Sequence, residues 1–382
     1  MGREETPFVD LPAALVEEVI QQTAEISGIL LDTFKRVKSD QEGFRKELLR
    51  RDLVRNESSL GYPPLPTTCG TDGSYGIERL LTADLVAAGA VAVEGLTPPS
   101  ERRHWEQPRH ITYIKSETHH PDTATVVRAI MIGCELTLAN KAPHDLIMID
   151  GSLTIPIIYF NQAINKAHEA SELQCSRDFI ENVFGYMDTY ASIIRSERSD
   201  RNFVGLPKYS TRREIGRALG WPRQYDDRGM LTFLLNAGEF TRPIIMEQPA
   251  QRWHLYTNHL PKEIQGQANE LAEIIIDNLE QVSIFYYKPH DWIPALRIEV
   301  PKVVSNNKHR LAIVIQGIKH QCATPSMLEP YPLYLADRTV KALSRTIPAF
   351  RQVTTQRISE KYKGNIGEIF MAMHGYRSES GR

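Results

Sequence analysis

The stretch Leu146-Ile147-Met148-Ile149-Asp150-Gly151-Ser152-Leu153 decides how the rest of the chain is read. Four consecutive apolar residues fit a fully buried strand. Asp150 ends the run, and Gly151 lets the backbone turn sharply. A carboxylate at the mouth of a buried strand is costly unless it is hydrogen-bonded, charge-paired or bound to a cation. The same triplet occurs earlier, at Asp72-Gly73-Ser74. Two copies of Asp-Gly-Ser, at least one on a strand end, suggest that a sheet brings two carboxylates to one place.

The chain has 382 residues, room for one large domain with insertions or for two. Its 41% hydrophobic and 24% charged content is ordinary for a globular protein. A net charge of -2 excludes a globally basic nucleic-acid binder, yet the 45 Lys and Arg leave room for a local basic groove. Cysteines 69, 134, 175 and 322 form no CxxC pair, which argues against a zinc ribbon and for a reducing cytoplasm. Residues 1–5 lack the basic and apolar regions of a signal peptide. Residues 2–6 fit the short myristoylation pattern, whose three free positions make chance matches common. No apolar run approaches the ~18 residues of a membrane span. The expectation is a soluble, cytoplasmic protein.

Working outward, helical spacing runs through residues 11–56. Val16, Val19 and Ile20 share a face that Leu30, Leu31 and Phe34 continue after Gly28, and residues 44–51 form a second, charged helix. This predicts a solvated helical hairpin packed on the main domain; a basic arm for nucleic acid or a partner is the alternative. Pro63, Pro64 and Pro66 make a stiff connector into Asp72. Strands are expected within residues 80–95, although 83–92 also suits a helix, and again over 110–116. Asp122 or Thr123 can cap a helix reaching about Asn140, with Val126, Val127, Ile130 and Cys134 on its buried side. Pro143 breaks it before the strand at 146–150. The acids Asp72, Glu135 and Asp150 therefore fall on consecutive elements of one α/β layer. Farther on, helices are predicted near 160–167, 177–194, 226–235, 264–281 and 340–350. Strands are predicted at 203–206, 282–287, 296–300 (alternating, hence half-exposed) and 311–318, and a polar tail begins near Ser378.

Carboxylate oxygens are hard ligands suited to Mg2+ or Mn2+. Converging carboxylates can hold two such ions ~4 Å apart, the arrangement used for phosphodiester hydrolysis. Asp72, Glu135 and Asp150 are the candidates. Alone, an Asp before Gly is most often a turn residue and a lone Glu a helix-surface residue; the joint arrangement is what points to a metal site. Lys208, after a short strand, is a candidate phosphate contact or a plain surface lysine. Arg102, Arg103, Trp105 and Arg109 combine cations with an aromatic, as single-strand tracks do, or belong to a polar loop. Arg297 is a further candidate DNA contact, but it shares a strand side with Glu299, and a structural ion pair is the plainer account. His119 and His120, adjacent on a strand, point to opposite faces and make no zinc site. Ser74 and Ser152 lie in no Gly-x-Ser-x-Gly elbow. No Walker A pattern occurs, so any translocation comes from a partner.

Taken in order, several segments resemble the NurA family of DNA-end-processing nucleases, which work with the hexameric translocase HerA. They are Asp72-Gly73-Ser74, the helix over 128–139 with Glu135, residues 146–153, Phe285-Tyr286-Tyr287-Lys288 with 294–301, and Pro332-Leu333-Tyr334-Leu335-Ala336-Asp337. The resemblance spans roughly residues 65 to 350. It implies a ribonuclease-H-like α/β fold, a mixed sheet flanked by helices, here with an N-terminal helical extension. It also implies DNA cleavage dependent on Mn2+ or Mg2+, two ions being expected, and a homodimer docked on a HerA-like hexameric ATPase, in DNA end processing or anti-phage defence. Asp72, Glu135 and Asp150 would be metal ligands. Where the family usually has a histidine on the late helix, this chain has Asp337, either a fourth ligand or a helix-surface residue. Near the family's upstream tyrosine stand Glu329 and Tyr331. The expected division is an extension over 1–62, a NurA-like nuclease domain over 63–352 and a tail over 353–382. Two alternatives compete: a non-catalytic ribonuclease-H-like module clamping DNA or an ATPase, and a phosphoesterase acting on small nucleotides.

Overall fold

In a computed structural model, residues 11–381 are described. In chain order the elements are α1 (Ala13–Arg50), β1 (Val54–Asn56), β2 (Thr68–Leu80), β3 (Asp84–Glu94), β4 (Arg109–Glu117), α2 (Thr123–Lys141) and β5 (Leu146–Asp150). Then come α3 (Ile155–Glu169), α4 (Gln174–Arg195), β6 (Asn202–Leu206), α5 (Glu214–Ala218), α6 (Asp227–Leu234), β7 (Glu239–Thr241), β8 (Ile244–Ile245) and α7 (Lys262–Leu279). The chain ends with β9 (Ser283–Lys288), β10 (Leu296–Val300), α8 (Lys302–Ser305), α9 (Lys308–Gln321), α10 (Tyr331–Arg345), α11 (Ile347–Lys361), α12 (Ile366–Ala372) and β11 (Gly375–Gly381).

One mixed sheet runs β1-β7-β9-β10-β6-β5-β2-β3-β4. Its centre is parallel: β2 pairs with β5, and β5 with β6, while the remaining pairs are antiparallel. The small and β-branched residues of β3 let it lie buried between β2 and β4. β2 outruns its parallel neighbour. Thr68 to Thr71 face Leu146 to Ile149, and farther along the same edge β11 pairs from Tyr75 to Leu80.

Helices cover both faces, as a parallel centre requires. On one face, α2, α3, α4 and α7 pack on Tyr75, Ile77, Ile147 and Ile149. On the other, Val314 and Ile315 of α9 meet Leu146 and Met148, while Ala336 and Val340 of α10 meet Val91 and Val93. Alternate residues of β2 and β5 therefore point into two different helical layers.

Five expectations change. The N-terminal hairpin is one continuous helix of 38 residues, because Gly28 in a helix interior costs only about 1 kcal/mol and forces no break. The end of that extension also joins the sheet, with β1 as an edge strand beside β7. Residues 311–318 are helix, not strand: Asn307 accepts from the backbone N–H groups of His309 and Arg310 and starts α9. Strand β10 is buried on both faces. The stretch over 353–382 carries α12 and β11, so the expected tail contributes a strand. The pattern at residues 2–6 lies outside the described residues.

Candidate active site

Asp150 closes β5 and shares the strand face of Leu146 and Met148, toward α9 and α10. Asp72 is inside β2 rather than in a turn, one residue past the Thr71–Ile149 pair, which puts it beside Asp150. It faces the same way, opposite Val91, whose side chain packs on α10. The third acid comes from α10. That helix starts against bare backbone: a Cβ at Gly70 would stand 2.6 Å from the carbonyl carbon of Pro332 and 2.7 Å from the nitrogen of Leu333. The close approach carries Asp337 to the two strands. One carboxylate oxygen from each of Asp72, Asp150 and Asp337 lies within 4.8 Å of the others.

Lys208 is drawn into this cluster from just beyond β6, whose Leu206 pairs with Asp150. Its Nζ lies 2.9 Å from Asp150 Oδ2, 3.1 Å from Glu329 Oε2 and 3.2 Å from Asp337 Oδ1. Burial disfavours the ammonium, but Glu329 and Asp337 outweigh burial and raise its pKa. Asp337 is likewise penalised by burial, yet Lys341 at 2.8 Å and Lys208 hold its pKa below the ordinary value. The backbone N–H of Gly73 donates to Asp72 Oδ1 at 2.8 Å. Glu135 reaches the same point of β2 from the opposite face. Its Oε2 lies 3.5 Å from where a Cβ on Gly73 would stand, outside the group of three. The structure thus groups Asp337 with the two strand acids and brings Glu135 to their back.

The turn after Asp150 is braced from behind. Gly151 has φ +114°, a conformation side chains rarely adopt. Glu299 of β10 accepts from Ser152 Oγ at 2.6 Å and from the Leu153 N–H at 3.0 Å, and the Tyr190 hydroxyl donates to the Leu153 carbonyl. Arg297 donates to Glu299 at 3.0 Å, forks onto Glu214 at 2.8 and 3.0 Å, and reaches the Tyr286 hydroxyl at 2.9 Å. At 1% exposure, Arg297 is a brace and not a DNA contact, which corrects the expectation for that residue. Trp105 is corrected too. It is 9% exposed and packs edge-on against His144, just before β5, at the end of that strand away from Asp150. It offers no stacking platform. Arg102 and Arg103 are exposed on its loop, and Arg109 lies 6.0 Å over its ring.

Two participants escaped the sequence reading. Glu329 is marked in the sequence only by its position near the family tyrosine, and Glu214 falls in a polar stretch without periodicity. A cavity of about 280 Å³ opens beside Lys208 and Glu329, walled by Leu206, Leu328 and Leu333, with Tyr209 at its rim.

Three buried or half-buried carboxylates converging from two parallel strands and a helix suit a hard divalent cation. The sequence model of the NurA domain matches residues 66–342, well over half of the chain. The chain belongs to the NurA family. Among solved structures, this NurA chain is similar to the NurA nuclease from Sulfolobus solfataricus, at 16% identity over 91% of this chain and 98% of that one, with a TM-score of 0.57. A second NurA crystal structure is 13% identical over 92% and 99% of the two chains, with a TM-score of 0.51. A third, NurA bound to dAMP and manganese, is 14% identical over 84% and 93%, with a TM-score of 0.45. No curated protein matches the chain. The α/β mixed sheet flanked by helices, expected from sequence, is the fold shared with the first two structures. No helix among the described residues is long and apolar enough to cross a membrane.

Proposed function

We propose that this NurA chain is a metal-dependent deoxyribonuclease that hydrolyses phosphodiester bonds. The observation carrying the proposal is the meeting of Asp72, Asp150 and Asp337 within 4.8 Å. The donor set fits Mn2+ or Mg2+: all carboxylate oxygen, two from paired strands and one from the helix packed on them. A bound metal, two ions in this proposal, would supply the charge that activates water and offsets the developing charge on the leaving oxygen. Asp72, Asp150 and Asp337 would hold it, with Glu135 adding a carboxylate from the α2 side. Glu299 and Arg297 fix the turn that aims Asp150. Lys208 is a cation beside the same oxygens, available to a substrate phosphate. The adjoining cavity has room for one nucleoside unit of a strand. Arg102, Arg103 and Arg109 are proposed as outer phosphate contacts.

The non-catalytic alternative drew its support from Asp337 standing where the family usually has histidine. Because Asp337 belongs to the cluster, that departure supports a ligand swap instead. A HerA-type hexameric ATPase as motor, a homodimer, work in DNA end processing or anti-phage defence and a cytoplasmic setting belong to the same proposal, as does a NurA-like nuclease domain over 63–352 whose sheet β1 and β11 extend from outside those limits. The absence of a Walker A pattern supports an external motor. The test is cleavage of linear duplex, single strand, plasmid and mononucleotides in Mn2+, with and without EDTA, by the wild type and by Asp150→Ala. Metal-dependent loss of polynucleotide substrates, abolished by the substitution in a folded protein, is expected. Undiminished digestion by Asp150→Ala would rule the proposal out.

A further inference from the structure

Lys208 occupies an unusual position for a lysine that has only to touch a substrate. Its Nζ is within 3.2 Å of three carboxylates, two of which belong to the oxygen cluster, and its side chain is only about a quarter exposed. An ammonium at that distance from Asp150 and Asp337 stands where a divalent ion shared by those two oxygens would be drawn, and the two positive charges repel. The chain flanking Lys208 is anchored independently. Arg228 of α6 donates to the Lys208 carbonyl and, at 3.0 Å, to the Ala295 carbonyl. The backbone is thereby fixed while the flexible lysine stem is left to swing. Glu329, in the loop before α10, gives the ammonium a second anchor outside the metal cluster.

We propose that Lys208 is a built-in cation that holds the acids together without metal and must move aside, retaining Glu329, before metal can load. It is a positioning residue: it neutralises part of the cluster in the metal-free protein and raises the metal concentration at which the site fills. Once displaced toward Glu329, the same ammonium is presented at the cavity mouth. The proposal rests on the reading of the cluster as a metal site, and its test separates the two.

The probe is MnCl2 alone, titrated calorimetrically into the full chain without DNA, for the wild type, Lys208→Met and Lys208→Arg. Lys208→Met is expected to bind Mn2+ about tenfold more tightly than the wild type, because nothing has to be displaced. Its melting temperature without metal should fall, and Mn2+ should restore it. Lys208→Arg, which keeps the charge, should stay near wild-type affinity. Should Lys208→Met not fold, a second measurement on the wild type decides: amine labelling read by mass spectrometry, with Lys208 labelled faster when Mn2+ is present. Equal or weaker Mn2+ binding by folded Lys208→Met, or unchanged Lys208 labelling on loading, overturns the displacement proposal. If the wild type takes up no Mn2+ at all, the metal-site reading itself fails, which is a different result.

Discussion

At the level of single residues, the two Asp-Gly-Ser triplets carried most of the information, for different reasons. At Asp150 the apolar run and the following glycine announce a buried strand end, and β5 ends there. At Asp72 the same letters lie inside a 13-residue strand, where Gly73 serves close packing against Met131 of α2 and not a turn. Local sequence cannot separate those two uses of glycine. Asp337 is legible only by its position in a family pattern, since nothing around it on α10 differs from a surface helix. Its ionisation leads to a prediction. Burial works against the Asp337 carboxylate, but Lys341 and Lys208 keep its pKa below the ordinary 3.8, so it stays charged throughout the range where a nuclease would be assayed. Substituting the family's usual residue, Asp337→His, replaces it with a group that must lose a proton, near pH 6.5 when unperturbed, before it can bind metal. Cleavage by Asp337→His is expected within about tenfold of wild type at pH 8, and to fall about tenfold per pH unit below about 6.5. The wild type should show no such limb. Superimposable pH profiles over pH 5.5 to 8 would mean that Asp337 holds no metal.

Among the elements, sequence and structure part company where one pattern serves two physical uses. Residues 311–318 are apolar and β-branched over a length that suits either a buried strand or one face of a buried helix. The arbiter was the Asn307 cap, four residues upstream. The alternation in Leu296-Arg297-Ile298-Glu299-Val300 is real, but its polar side faces a buried ion network instead of water. Leu296, Ile298 and Val300 meet the core beneath α9, while Arg297 and Glu299 link α5 to the turn after Asp150. Such a network makes β10 a lever on the acidic cluster. Arg297→Met would leave Glu214 and Glu299 charged and buried without their partner, a loss of about 3–5 kcal/mol by the usual cost of breaking a buried pair. Urea denaturation should register it as a lower midpoint at unchanged slope. Glu299→Gln, which keeps the shape and weakens the hold on Ser152, should lower Mn2+ affinity by about 10–100-fold, as outer-shell changes at metal sites do. Wild-type Mn2+ binding by a folded Glu299→Gln would show that the turn needs no brace.

For the whole molecule, the parallel centre was readable because strand and helix periodicities alternate from residue 68 to 206, whereas its closure was not. The partner of β2 beyond Asp72 is β11, some three hundred residues later in the chain, and a polar segment gives no periodic sign of joining a sheet. The N-terminal helix poses the opposite problem, since its pattern is clear while its first half lies mostly exposed among the described residues. The second half of α1 is anchored: Phe34 packs 5.7 Å from Phe233 and Arg45 pairs with Glu239 at 2.7 Å. The first half carries a row of Val16, Val19, Thr23, Ile26 and Leu30, half-buried at Val16 and exposed at the rest, with Ile26 51% and Leu30 64% exposed. Those positions step by three, four, three and four residues, the interval at which two like helices interlock. A second copy of the chain presents the same row, which would give the proposed homodimer a self-complementary seam along α1. Charging it with Ile26→Glu and Leu30→Glu together should halve the mass seen by light scattering. It should leave the melting temperature nearly unchanged, because neither side chain is buried within the protomer. Self-association that survives both charges would move the dimer contact to another surface and leave this face of α1 for a different partner.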